Sequence, residues 1–254
     1  MLEVVRWGLS IILLLSITLE ASASLLFGFA TKDAAFLTST SVYESGGGVV
    51  INENIKVLTS LGDDMAVGII GDISDCALLR AELETANVEH KLSYGGSSLQ
   101  CEAMANYCRS IIGKYLRTAN PLNVECMIAG CTNEGDPQLF WMDSVGSIQK
   151  VPFGAFGKDA AIILSALDRF QNELNLLDIS EVNVVSSESR IVLDELLGPA
   201  RDGTRYTGGR ITSATDILDS CWTIVRGRSN TVAPAGSCQV MKCTRKGVKA
   251  CDSI

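Results

Sequence analysis

Ser24, in the stretch EASASLLFGFATKDAAFLTST, is the residue in this sequence most suited to a catalytic role. An apolar run precedes Ser24 and ends in the small residues 21–23, and a strand-like run begins at Ser24. Its hydroxyl could be the nucleophile of an enzyme made by self-cleavage, provided that a partner orients it. It could also be the first residue after secretory cleavage, or an ordinary residue at the start of a strand.

Other residue types that carry chemistry give weaker indications. The single histidine, His90, has no cysteine near it in sequence, whereas a zinc site needs clustered cysteine and histidine. The glycine run 46–48 precedes a strand and lacks the Lys-Ser/Thr pair that follows in a phosphate-binding loop. We therefore predict no metal and no cofactor.

The nine cysteines are odd in number and lack CxxC pairs or a repeating framework. Several lie inside apolar periodic runs, where a free cysteine behaves as a small core hydrophobe. We predict buried, reduced thiols at Cys76, Cys101, Cys108 and Cys126.

Length and charge limit the classes of function. A chain of 254 residues suits one large domain or two small ones. Its formal net charge is −8, and no Lys/Arg run is longer than a pair. Nucleic acid is therefore not an expected partner, because binding it needs a basic face.

The first 23 residues resemble a secretory signal, with Arg6, an apolar stretch and then the small residues 21–23. The apolar stretch is too short to favour a membrane span. The alternatives are an apolar propeptide, an apolar N-terminal extension or a misplaced start codon. We predict an extension over 1–23 and one domain over 24–254.

The segment from Ser24 to Gly71 predicts a meander of about five strands. The runs SLLFGFAT and DAAFLTST are separated by a tight turn at 32–33, and GGGVV, IKVLTS and MAVGIIG follow. Residues 62–64, Gly-Asp-Asp, predict the last turn.

Helices and strands then alternate in blocks. Apolar periodicity predicts a helix over 72–88 and a second that opens with a capping box, formed by Ser97 and Gln100, and stops at Pro121. The strands NVECMIAGC, PQLFWMD and SIQKVPF follow. Helices over 158–170 and 212–225 and a closing hairpin in SCQVMKCTRKGVKAC complete the pattern.

This order predicts an α+β fold, for which a four-layer αββα sandwich is one economical arrangement. Residues 171–210 do not fit this alternation of strands and helices, and they contain the turn-forming pairs Gly-Pro at 198–199 and Gly-Gly at 208–209. We predict that they form a surface insertion, with a possible short helix around 191–197.

Several stretches resemble the beta-type subunits of the 20S proteasome, most closely those at the fourth position of the beta ring, called beta type-2 in animals. They are SLLFGFATKDAAFLTSTS, GIIGDISDC, NVECMIAG, PQLFWMDSVGSIQKVPFGAFGKDAAIILSALDRF and RKGVKACDSI. The resemblance covers roughly 24–170 and 211–250. It implies the N-terminal-nucleophile hydrolase fold, which is the same four-layer sandwich.

The resemblance also assigns positions. Ser24 stands where active subunits carry their nucleophilic threonine, Lys56 at the position of the lysine that tunes proton transfer, and Gly71 near the oxyanion glycine. Thr40 replaces the aspartate that pairs with the lysine, and Lys158 replaces a supporting serine. A threonine cannot orient an ammonium by charge, and a second cation does not replace a hydroxyl.

We therefore expect a non-catalytic structural subunit. Its implied partners are other beta subunits of the same and the opposite ring and the alpha-ring subunits, with no nucleic acid and no membrane. Its implied location is the cytoplasm and nucleus. The alternatives are an N-terminal serine hydrolase that uses Ser24, or a secreted, diverged domain of the same fold.

Overall fold

A computed structural model describes most of the chain. The described residues are 25–41, 43–44, 50–52, 55–175, 214–228 and 238–251. Their strands are β1 (Leu26–Ala30), β2 (Ala35–Thr40), β3 (Tyr43–Glu44), β4 (Val50–Asn52), β5 (Leu58–Ser60), β6 (Met65–Gly71), β7 (Val124–Cys131), β8 (Pro137–Met142), β9 (Ile148–Lys150), β10 (Phe153–Phe156), β11 (Cys238–Thr244) and β12 (Gly247–Cys251). Their helices are α1 (Ile73–Ser93), α2 (Cys101–Leu116), α3 (Ala160–Asn175) and α4 (Ala214–Arg228).

The strands form two five-stranded antiparallel sheets. The first sheet has the order β10-β1-β2-β11-β12, and the second has the order β5-β6-β7-β8-β9. The predicted five-strand meander is therefore wrong. β1 and β2 belong to one sheet and β5 and β6 to the other, while β3 and β4 pair with each other. Local turns predicted the hairpins correctly, but sheet membership depends on contacts between residues far apart in sequence.

Three apolar clusters show how the layers pack. One lies between α1, α2 and the second sheet, one between the first sheet and α3 and α4, and the third between the two sheets. Each sheet thus buries one face on the other sheet and one face on a pair of helices. The predicted four-layer αββα sandwich is confirmed.

Gly68 on β6 permits the close approach of the two sheets. A Cβ atom at this position would lie 2.5 Å from Cδ1 of Leu26 on the first sheet and 2.9 Å from Cδ2 of Leu58. Such distances are shorter than real carbon contacts, so a larger residue would displace the leucines of the middle layer.

The first helix is longer than its sequence predicted. Asp72 caps it by accepting hydrogen bonds from the backbone N–H of Ser74 (2.9 Å) and Asp75 (3.4 Å). The bonds from Ser74 lower the pKa of this carboxyl. The helix was predicted to end at Val88 but continues to Ser93. The prediction stopped early because the apolar residue of the last turn does not lie on the buried face.

The predicted capping box of α2 is wrong. The N-cap is Gln100, whose side chain makes no capping hydrogen bond. The hydroxyl of Ser97 instead donates to the carbonyl of Tyr94 at 3.0 Å, and the N–H of Leu99 donates to Oδ1 of the buried Asn87 at 3.2 Å. The loop is therefore anchored to the end of α1, and this anchor directs Ser97 away from the start of α2.

The segment SIQKVPF was predicted as one strand, and this is also wrong. It contains β9 in the second sheet and β10 in the first. The N–H of Val151 donates to the carbonyl of Leu139 on β8 (2.9 Å), whereas the carbonyl of Pro152 accepts from the N–H of Ala30 on β1 (2.8 Å). The chain thus crosses between the sheets at Pro152, which cannot donate to either ladder.

The second half of the chain follows its pattern more closely. The helices predicted over 158–170 and 212–225 are α3 and α4, each displaced by a few residues, and the closing hairpin is β11 with β12. The first five residues of the predicted insertion continue α3, and 176–210, including the short helix suggested at 191–197, lie outside the described residues. The extension 1–23 and Ser24 also lie outside them.

The four predicted cysteines, Cys76, Cys101, Cys108 and Cys126, are free and buried thiols. Cys131, Cys221 and Cys243 are also free and buried, and Cys238 is free and half-buried. Burial raises the pKa of Cys76 and of Cys243 to about 12. These thiols are therefore protonated at neutral pH and behave as part of the apolar core.

Gln239 on β11 connects the first sheet to the segment that leads into β5. Its Oε1 accepts from the N–H of Val57 (3.2 Å) and of Leu58 (3.0 Å), and its Nε2 donates to the carbonyl of Ile55 (2.9 Å). The N–H of Ile55 donates to the carbonyl of Ser41, just past β2, at 3.0 Å. One amide side chain thus satisfies three backbone groups at an end of the middle layer.

We predict that Gln239→Leu destabilises the protein by about 2–4 kcal/mol, because it leaves partly buried backbone groups without partners while it keeps the side-chain volume. Urea unfolding of the purified chain, followed by tryptophan fluorescence, measures the change. Gln149→Leu on the exposed edge strand β9 is the matched control and should change stability by less than about 0.5 kcal/mol. Equal effects of the two substitutions would contradict the role given to Gln239.

Candidate functional site

The strand pairing brings two predicted positions, Thr40 and Lys158, to one end of the first sheet. Leu26 pairs with Ser39 on β2 and with Phe156 on β10. Thr40, at the end of β2, and Lys158, two residues past β10, therefore flank the start of β1. Ser24 lies outside the described residues, but Leu25, the next residue, lies at this end.

Lys56 and Gly71 lie at one end of the second sheet. The N–H of Ile69 donates to the carbonyl of Val57 at 3.3 Å, so Lys56 lies across from the last residues of β6. The bond from Ile55 to Ser41 joins this end to the end of β2. The structure therefore places the four described positions at a common end of the sandwich, where the resemblance expects a site.

Thr40 is bonded to the residue that follows Ser24. The N–H of Thr40 donates to the carbonyl of Leu25 at 3.0 Å, and the N–H of Leu25 donates to Oγ1 of Thr40 at 2.9 Å. The side chain at the position of the expected carboxylate thus extends the β1–β2 pairing by one more hydrogen bond. It carries no charge with which to orient an ammonium group.

Lys56 has an exposed side chain. Its backbone carbonyl accepts a hydrogen bond from Nη2 of Arg80 on α1 at 2.6 Å, which ties this segment to the outer helix layer. Within the described part of the chain, no carboxylate forms an ion pair with Lys56. The backbone of Lys56 is thus held by Arg80 on α1, and its neighbours in sequence are held by Gln239 on β11.

Gly71 has a structural requirement of its own. Its φ is +132°, and a Cβ atom there would lie 2.2 Å from the carbonyl oxygen of Asn123. That same oxygen accepts from the N–H of Asp72 at 3.0 Å, at the point where β6 leads into α1. The glycine is needed for this turn whether or not an oxyanion ever binds nearby.

Lys158 lies in a tight turn that starts α3. Gly157 and Asp159 both have a left-handed backbone, with φ values of +87° and +63°. The carbonyl of Gly157 accepts from Ala160 (3.2 Å), and that of Asp159 accepts from Ile162 (3.0 Å) and Ile163 (3.2 Å). Lys158 itself is exposed and makes a contact of its own. A non-glycine residue in this conformation, Asp159, costs on the order of 1 kcal/mol.

Sequence reasoning missed Gln239 and Arg80, which hold the segment around Lys56. Gln239 is separated from its partners by more than 180 residues, so no local pattern could pair them. One signal was present: Gln239 alternates with Met241 and Cys243, which contribute to the cluster between the sheets. A polar residue in an otherwise apolar row is expected to make hydrogen bonds within the protein.

Two further findings bear on ligands. Across the described ranges, no three or more His, Cys, Asp or Glu side chains are placed to hold a metal ion. Among the helices of those ranges, none combines the length and the apolar composition that crossing a membrane requires.

Comparison with known proteins agrees with this geometry. The family described as "Proteasome subunit" matches residues 21–184, well over half of the chain. "Probable proteasome subunit beta type-4" of Neurospora crassa is 28% identical over 57% of this chain and 70% of its own length. "Proteasome subunit beta type-2-B" of Arabidopsis thaliana is 27% identical over 64% and 84%, and "Proteasome subunit beta type-4" of Saccharomyces cerevisiae is 23% identical over 67% and 87%.

Two antiparallel sheets between pairs of helices, with the candidate positions gathered at one end, define a sandwich of the N-terminal-nucleophile hydrolase type. The chain belongs to the proteasome subunit family, and its named relatives identify it as a beta-type subunit.

We predict that Gly71→Ala destabilises the fold by about 3 kcal/mol or more, because both the positive φ and the Asn123 carbonyl exclude a methyl group. Thermal unfolding of the purified variant measures this. Gly113→Ala in α2, where a Cβ atom meets no neighbour within 4 Å, is the control and should stabilise by up to about 1 kcal/mol. An unchanged melting temperature for Gly71→Ala would refute the requirement.

Proposed function

We propose that this chain is a non-catalytic structural beta subunit of the 20S proteasome core, which contributes to ring assembly, to the chamber wall and to protein degradation by the complex. The family match and the beta-type relatives support the assembly part of this proposal. The residues at the candidate site support the absence of a catalytic role.

The observation that carries the proposal is the bond between Thr40 Oγ1 and the N–H of Leu25. By the resemblance, an active subunit has a carboxylate at this position, paired with the lysine. Here the side chain is neutral, and its oxygen accepts a hydrogen bond from the backbone N–H of Leu25, the residue that follows Ser24. A serine nucleophile needs an oriented partner, and this arrangement provides a strand contact instead.

The other positions support the same proposal. Lys56 has no described carboxylate partner, and Lys158 adds a second positive charge where active subunits carry a hydroxyl. An enzyme that uses Ser24 is the second candidate, favoured by the small residues before Ser24 and by the retention of Lys56.

We predict that Ser24→Ala leaves the peptidase activities of the assembled particle within about twofold of the unmodified particle. Loss of a true nucleophile removes covalent catalysis and costs orders of magnitude in rate. The decisive measurement is labelling with an electrophile that traps N-terminal nucleophiles, followed by mass spectrometry of this chain.

The informative comparison is Thr40→Asp with Lys158→Ser, which rebuilds the missing groups around Ser24 and still needs a free amine on that residue. An adduct on Ser24 of the unmodified protein that disappears in Ser24→Ala would overturn the non-catalytic proposal and favour the serine hydrolase.

We also predict that the native chain migrates in a very large complex, not as a free 27.1 kDa monomer. Size fractionation of native extract, probed for this chain, measures this, and mass spectrometry identifies the chains that co-fractionate. A single monomer peak without other beta-type chains would contradict the assembly role.

Position, location and domain organisation complete the proposal. Relatives named beta type-4 and type-2 support the fourth position of the beta ring, with contacts to beta subunits of both rings and to the alpha ring. We propose the cytoplasm and nucleus as the location. We further propose that residues 24–254 form one domain with a surface insertion at about 171–210, and that residues 1–23 are an extension or propeptide.

A further inference from the structure

Two thiols in the helix layer over the second sheet lie in contact and take no part in the candidate site. Sγ of Cys108 on α2 lies 3.5 Å from Sγ of Cys126 on β7, and both side chains are fully buried. The two residues belong to different elements, and the packing of α2 on the sheet brings their side chains together. The core thus holds a pair of groups that can react with each other.

The distance between the two sulfur atoms suits the formation of a covalent bond. A disulfide has an S–S distance of about 2.05 Å, so the atoms must approach by about 1.5 Å from their present contact. Small rotations about the two Cα–Cβ bonds move the sulfur atoms by this amount. The bond therefore requires no change in the order of the layers.

The closed structure keeps this pair reduced. The contact with Cys108, together with complete burial, raises the pKa of the Cys126 thiol well above its usual value. The nucleophile in thiol chemistry is the thiolate, and a buried, protonated thiol reacts slowly. Oxidation of the pair therefore requires that the layer above it opens.

α2 is the element that can open. Its N-cap, Gln100, makes no side-chain capping hydrogen bond, and Gly113 lies within the helix. A missing cap and an internal glycine each lower the stability of a helix, and local opening costs less free energy than unfolding of the domain. When α2 opens, Cys108 moves with it and meets the solvent, whereas Cys126 stays on the central strand of the second sheet.

We propose that Cys108 and Cys126 form a redox-sensitive pair, which closes to a disulfide when the chain meets a peroxide and so fastens α2 to β7. The sulfur of Cys108 attacks one oxygen of hydrogen peroxide, the O–O bond breaks, and Cys108 becomes a sulfenic acid as water leaves. The sulfur of Cys126 then attacks the sulfur of Cys108, and the S–O bond breaks. The departing hydroxide takes the proton of Cys126 and leaves as a second water, so two thiols are oxidised and one peroxide is reduced.

The bond has a structural consequence. It joins residues 18 positions apart and closes a loop that contains the end of α2 and the start of β7. A cross-link of this kind stabilises a protein chiefly by restricting the unfolded chain. The oxidised chain therefore keeps α2 on the second sheet under conditions in which the reduced chain loses it. This inference concerns the fold and does not depend on whether the subunit is catalytic.

The first test locates the bond. The full chain is purified in a reductant, freed of it, treated with hydrogen peroxide and alkylated under denaturing conditions before digestion and mass spectrometry. Trypsin leaves Cys101 on the same peptide as Cys108. It likewise leaves Cys131 on the same peptide as Cys126, so fragment ions must locate the bond.

The expected product joins Cys108 to Cys126, and dithiothreitol releases it. A bond from either residue to another cysteine, such as Cys76 in the same cluster, overturns the inference. Alkylation of both thiols, or their conversion to sulfonic acids without a bond, also overturns it.

The second test measures the stabilisation. We expect the oxidised chain to melt about 5–10 °C above the reduced chain. Cys108→Ala should abolish this difference, whereas Cys221→Ala, a buried cysteine of the other helix layer, should retain it. Each variant is compared with its own reduced form, so any loss of stability caused by alanine itself cancels. An equal difference in the two variants would overturn the inference.

The order of the two steps is tested with a 1,3-diketone probe, which traps sulfenic acids during peroxide treatment. Each variant keeps one cysteine of the pair and cannot close the disulfide. Cys126→Ala should be labelled at Cys108, at least about fivefold more than Cys108→Ala is labelled at Cys126, because α2 carries Cys108 into the solvent. Equal labelling would overturn the assignment of Cys108 as the residue that reacts first.

Discussion

The face-to-face packing of the two sheets is the constraint on which the rest of the structure depends. Apolar side chains of both sheets fill the space between them, and Gly68 leaves room for Leu26 and Leu58 to meet there. Since each sheet is then buried on one face, its other face needs a separate apolar cover, which the two helix pairs supply. Four layers are thus the consequence of one buried interface.

The ends of this middle layer create a second requirement, because strands stop there and their backbone groups still need partners. At the end that gathers the candidate positions, Gln239 bonds three backbone groups around Lys56, and Thr40 bonds the N–H of Leu25. In this protein, side chains at and around the candidate positions thus hydrogen-bond to backbone groups. That use of Thr40 supports a structural role for the subunit without requiring any change in the fold.

The outer layers differ in how completely they are covered. The inner face of α1 lies in the core, whereas its outer face leaves Val88 and Leu92 exposed. Exposed apolar surface is common where a protein contacts another molecule.

The sequence by itself indicated most of the local elements, and its resemblance to a known family implied the four layers. Short strand-like runs separated by the turn at 32–33 predicted β1 and β2, and period-3.6 runs predicted the buried faces of α1 and α2, because these patterns depend on neighbours within a turn or a hairpin. The resemblance also predicted the candidate positions Thr40, Lys56, Gly71 and Lys158. Only the tertiary structure assigned β9 and β10 to different sheets, directed Ser97 to Tyr94 instead of to α2, and paired Gln239 with the segment around Lys56. Each of these is decided by hydrogen-bonding partners that the fold, and not local chain geometry, brings within reach.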